Sequence, residues 1–138
     1  MAALVGALAA MVVVGAAITQ IHLQDRRLLA CADTIAATAS AAVAAHDYYL
    51  GDTTVFPAPS RELAADRATA ALVNLKDTTC RIGDEAGPGL TAVGIGANGE
   101  VHVEIVARAR LPTVPPAVAR VALPELIARS SARTTASM

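Results

Sequence analysis

The chain has 138 residues, a formal net charge of −1, and a composition that is 54% hydrophobic but only 2% aromatic. Its eleven Lys and Arg residues are scattered rather than striped, which excludes the electrostatic footprint of a nucleic-acid binder, and its length suits one small domain rather than two. With almost no aromatics the core has to be built from Ala, Val, Leu and Ile, which bury less area each, so such a domain leans on its neighbours for stability.

Met1 to Ala45 contains no proline and no charged side chain before Asp25, and it reads as one long helix. Its first part, Ala2 to Ile21, is an apolar run of about 20 residues, which at 1.5 Å per residue matches a hydrocarbon core about 30 Å thick. Residues 1–24 are therefore expected to form a transmembrane helix. Thr19, Gln20, His22, Gln24, Asp25, Arg26 and Arg27 stand at its exit, where long cationic side chains snorkel among headgroups. Ile21, Leu28, Ala32, Ile35, Ala39 and Val43 then recur at helical spacing, so residues 25–49 are expected to continue the helix into water as an amphipathic stem.

Other readings of this end carry less weight. A cleaved signal wants a basic region before the apolar run, and none precedes Ala2; Leu28-Leu29-Ala30-Cys31 has the look of a lipobox, but Asp25, Arg26 and Arg27 charge the segment upstream of it. By the positive-inside tendency Arg26 and Arg27 favour a cytoplasmic stem. A short basic leader preceding Met1 would reverse that preference, and an apolar run that begins at residue 2 suggests one. N-terminal sequencing of the native protein tests it.

The remainder, residues 50–138, reads as one small α+β domain. His46-Asp47-Tyr48-Tyr49 ends the helix, and Leu50 to Pro59 form a loop. Ser60 is placed as the N-cap of a second helix reaching Lys76, with Leu63, Ala64, Ala68, Ala71, Leu72 and Leu75 on its apolar side. After the glycine-rich loop Gly83 to Gly89, Leu90 to Ala97 and Glu100 to Leu111 read as strands joined by Asn98-Gly99, the dipeptide of a type I′ hairpin turn. Val101, Val103, Ile105, Ala107, Ala109 and Leu111 fall on one face of the second strand, and His102, Glu104, Arg108 and Arg110 on the other, with Val106 the apolar exception. Pro112, Pro115 and Pro116 end it. From Ala117 either a short helix through Val118, Val121 and Leu123 or an edge strand near Glu125 to Thr135 fits, and the alternation of Leu126, Ala128, Ser130 and Ala132 favours the strand.

Little in the chain points to catalysis. Gly94-Ile95-Gly96-Ala97-Asn98-Gly99 spells GxGxxG, but the fingerprint needs a helix after the glycines, and Val101 to Leu111 has strand period. His22, His46 and His102 have no Cys or carboxylate at ligand spacing, and neither a nucleophile elbow nor a P-loop is present. No catalytic residue, metal site, cofactor or small-molecule substrate is expected. Cys31 and Cys80 permit one intramolecular bond in an exported domain; the alternative is two buried thiols.

An apolar helix running into an alanine-rich stem, Ala30-Cys31-Ala32-Asp33-Thr34-Ile35-Ala36-Ala37, then a helix, then a hairpin with Val101-His102-Val103-Glu104-Ile105-Val106 as its second strand, resembles the TadE/TadG-like minor pilins (pseudopilins) of the tight-adherence (Flp) pilus. The resemblance implies a pilin-like α+β fold, with a second helix packed on a small antiparallel sheet outside the cytoplasm and a single membrane-spanning helix. It implies a structural role as a subunit of the pilus or a related secretion filament, with other pilin subunits, an inner-membrane assembly platform and membrane lipid as partners. Members of the family commonly carry a processed leader and a glutamate near the mature N-terminus, whereas here no acidic residue precedes Asp25. The helix-packing residues expected are Leu4, Leu8, Val12 and Ile18, with Gly15 allowing close approach. The rival reading is a solitary membrane-tethered binding domain facing the cytoplasm; a soluble secreted enzyme would require cleavage after the apolar run.

Overall fold

The computed structural model describes residues 2–50, 58–83, 86–112 and 123–133. It contains α1 (Ala2–Leu50), α2 (Ala58–Leu75), β1 (Gly89–Ile95), β2 (Val101–Arg108) and β3 (Glu125–Ala132). The three strands form one antiparallel sheet in the order β1-β2-β3. The fold is α+β. Both helices cover one face of the sheet, α1 lying over β2 and β3 and α2 over β1, while packing against each other.

Helix α1 runs unbroken through the polar stretch at residues 19–27, because alanine and the straight-chain residues around it favour helix and no proline interrupts it. It extends through His46-Asp47-Tyr48-Tyr49 to Leu50, one residue beyond the predicted end of the stem at residue 49. In its second half Leu28, Cys31, Ala32, Ile35, Ala36, Ala39 and Val43 are buried, a stripe with the 3.6-residue period. Alanines meet alanines where α2 approaches, since Ala64, Ala68 and Ala71 are its buried face, and such small side chains let two helix axes come close. The sheet supplies Val101, Val103, Ile105, Ala107, Leu126 and Ala128 from below. Among the described residues no aromatic side chain belongs to this core, and its largest fully buried members are Leu28, Ile35, Ile105, Val101, Val103 and the two cysteines.

Several boundaries differ from those expected. Helix α2 begins at Ala58, so Ser60 lies within its first turn rather than at its cap. Pro59 is tolerated there because the first-turn N–H groups have no intrahelical partner. Residues 51–57 of the predicted loop lie outside the described residues, as do 113–122, which include most of the alternative tail helix, and Thr134 and Thr135 of the predicted third strand. Strand β2 ends at Arg108, short of Leu111, because the N–H of Ala109 turns to the carbonyl of Pro124 and that of Arg110 to the side chain of Gln24.

The hairpin turn also differs in type. A type I′ turn requires φ > 0 at both central residues, and only Gly99 has it, at +73°; no non-glycine among the described residues does. The N–H of Gly99 donates to the carbonyl of Gly96 (3.0 Å) and that of Gly96 to the carbonyl of Glu100 (2.8 Å). This is the three-residue loop, a type I turn at Ala97-Asn98 followed by a left-handed glycine. Asn98-Gly99 marked the site of the turn but not its geometry.

Gly83 is a second position that only glycine satisfies. Its φ is +83°, and an added Cβ would lie 2.6 Å from the backbone carbonyl oxygen of Arg108. Left-handed strain and a contact that only backbone movement relieves lead us to expect Gly83→Ala to lower stability by about 2 kcal/mol or more. Urea unfolding checks this, and a loss of under about 0.5 kcal/mol, the size of an ordinary surface substitution, would contradict it.

Candidate functional site: the apolar helix and its junction with the domain

From residue 3 to residue 16, α1 is exposed throughout and packs against none of the other described elements. Leu4 is 68% exposed, Leu8 63%, Val12 70% and Ile18 63%, and none of the most apolar window of the helix is buried. Val5, Met11, Val13 and Val14 are exposed too, so the helix is apolar all round rather than on one side. A helix of this kind belongs in lipid or among like helices. Its backbone groups are bonded within the helix, and the Thr19 hydroxyl is satisfied by donating to the carbonyl of Gly15 (3.0 Å), so little polar cost opposes entry into hydrocarbon. The chain thus has one N-terminal helix long and apolar enough to span a membrane.

Of the predicted interface residues, Leu4, Leu8, Gly15 and Ile18 lie at about i, i+4, i+11 and i+14, and Val12 stands beside them. Gly15 sits centrally on this large-residue side, and an added Cβ there would meet nothing within 4 Å.

The junction is more tightly built than the predicted headgroup zone. The Gln24 side-chain amide brackets the backbone of one residue of the domain: its Nε2 donates to the carbonyl of Arg110 (2.6 Å), and its Oε1 accepts from the N–H of Arg110 (2.8 Å). Gln24, expected with the other polar residues at the membrane exit, is also a clamp between α1 and the end of β2. Higher on the stem, the Ser130 hydroxyl of β3 donates to the Asp33 carboxylate. Neither link is written in local sequence, because the partners lie 86 and 97 positions apart.

Cys31 and Cys80 form a disulfide bond across 49 positions, with Cα atoms 5.1 Å apart. Cys80 is delivered to the stem by the end of α2: the carbonyl of Leu75 accepts from the N–H of both Thr78 and Cys80, folding residues 76–80 back under α1. Both half-cystines are fully buried.

The outer face of the sheet is the other surface that could carry chemistry. Ala92, Glu104 and Arg129 form one row across it, and Gly94, His102 and Ser131 the next. Small residues on β1 leave a shallow depression of about 400 Å³, to which Arg61 of α2 also contributes. Its charges are partly spent on each other: Arg129 Nε donates to Glu104 Oε2 at 2.6 Å, and His102 Nε2 lies 3.9 Å from Glu100 Oε2. Among the described residues no three His, Cys, Asp or Glu side chains come together as a metal-binding group. The GxGxxG run forms the end of β1 and the hairpin loop, not a strand-to-helix turn. No protein-family model, curated protein or solved structure matches the chain.

Proposed function

We propose that the protein is a single-pass membrane subunit of a filament, similar to the minor pilins of the tight-adherence pilus. Its apolar helix packs beside like helices and an assembly platform, and its α+β domain makes lateral contacts outside the cytoplasm. The observation that carries this reading is the exposed, all-round apolar first part of α1, continuous with a stem that is itself part of the domain core. An anchor alone requires no such continuity; a subunit that must transmit position from the membrane to a filament does. The buried disulfide supports an extracytoplasmic domain, since such bonds persist in oxidising compartments. Arg26 and Arg27 favour the second reading, a tethered binding domain facing the cytoplasm. Protease added to intact spheroplasts separates the two, because only an outward domain is degraded.

Gly15→Leu tests the packing directly. The glycine has open space around it, so leucine leaves the isolated chain unstrained, and the expected result is impaired assembly with an unchanged unfolding midpoint. Normal assembly by this variant would count against helix packing through this side.

A further inference from the structure

We propose that the membrane-proximal end of the domain, where Gln24 holds Arg110 against α1 beside Arg26 and Arg27, is a docking surface for anionic phospholipid headgroups. The proposal rests on the reading that the first half of α1 crosses the bilayer. Given that, the height of the junction follows from the helix. Gln24 lies three residues past Ile21, about 4.5 Å at 1.5 Å per residue, and each headgroup layer is about 5 to 7 Å thick. Because Cβ atoms on a helix tilt toward its N-terminus, the Gln24 side chain leans toward the bilayer rather than away from it. The two hydrogen bonds to Arg110 therefore fix the end of β2 at headgroup level, instead of leaving the domain to swing above it.

The charge at this level is unspent. Arg26, Arg27 and Arg110 are exposed, and among the described residues none of them enters an ion pair. Asp25 is the carboxylate beside them; Arg108 and Glu125 face each other as register partners across β2 and β3 and cancel in charge. Among the described residues, three guanidiniums against one carboxylate leave the collar positive where lipid phosphates lie, and guanidinium pairs with phosphate through two parallel hydrogen bonds. Each basic residue near an anionic surface adds to the attraction. The clamp uses only the backbone of Arg110, so its side chain remains available to lipid.

The chain contains no tryptophan, so one introduced tryptophan is a clean reporter. The full-length Leu111→Trp protein is placed in nanodiscs of phosphatidylcholine alone or of phosphatidylcholine with phosphatidylglycerol, with headgroup-nitroxide lipid as quencher. Quenching is expected in both and at least about twofold stronger in the anionic discs, and the difference is expected to vanish in R26Q/R27Q/R110Q. Quenching that ignores both lipid charge and the three arginines overturns the proposal, as does its absence. Pro112→Trp, at an exposed position, serves if Leu111→Trp does not fold. Val12→Trp with acyl-chain-brominated lipid tests the span on its own: quenched there but silent at Leu111→Trp, only the docking fails; silent at Val12→Trp, the membrane-spanning reading fails with it.

Discussion

Replacing Cys31 and Cys80 by alanine is expected to lower the unfolding free energy by about 4 kcal/mol, the chain-entropy value for a closed loop of this length. In many domains that would be one contribution among several. Here the two sulfurs are also among the largest fully buried side chains, in a core otherwise made of Leu, Ile, Val and Ala. Against a typical total of about 5 to 15 kcal/mol the loss is decisive, and a domain of this size should melt about 15 to 30 °C lower. Calorimetry of the full chain in detergent measures it, and a fall of only a few degrees would show that packing alone holds α2 to the stem. Because both sulfurs are inaccessible, the native protein should also resist alkylation after mild reductant until denaturant is added.

Val12→Arg is expected to remove much of the protein from the membrane fraction. Val12 lies midway along Ala2 to Ile21, where an arginine costs about 2.5 to 3.5 kcal/mol to insert. Leu, Ile and Val each return only about 0.3 to 0.6 kcal/mol there, and alanines and glycines occupy many of the remaining positions of this span. One charge therefore offsets most of what holds the helix in lipid. Carbonate extraction of membranes checks the prediction, with Val12→Leu as the control that stays behind. Full retention of Val12→Arg would show that partner helices rather than lipid hold this segment.

The parts of the fold that could be read in the sequence are those set by short-range periodicity. The long helix is legible because nothing in Met1 to Ala45 opposes it, and the buried stripe of the stem follows from the spacing of Leu28, Ile35 and Val43. The alternation in Val101 to Ala107 identifies the inner face of β2. With only two cysteines a single pairing is possible, though the spacing says nothing of whether it is oxidised. Where local rules allow two outcomes, it is contacts made in the folded chain that choose between them. Asn98-Gly99 suits both the two-residue and the three-residue hairpin, and the pairing of Gly96 with Glu100 selects the latter. A polar Gln24 at the end of an apolar run is equally at home in water, in headgroups or bonded to a neighbour, and its partner Arg110 is positioned only once the sheet has formed. Nor does the sequence announce Gly83, whose constraint arises from the passage of β2 close by.

Helix α1 has no hinge. Residues Ala2 to Leu50 form one rod about 73 Å long, fixed to the rest of the domain through Gln24, Cys31 and Asp33. Such a rod works as a lever: pivoting by about 10° around Val12, within the tilts that membrane helices adopt, sweeps Leu50 sideways by about 10 Å. Changes in bilayer thickness, or in the crowding of neighbouring helices, would thus be magnified into a new bearing of the whole domain.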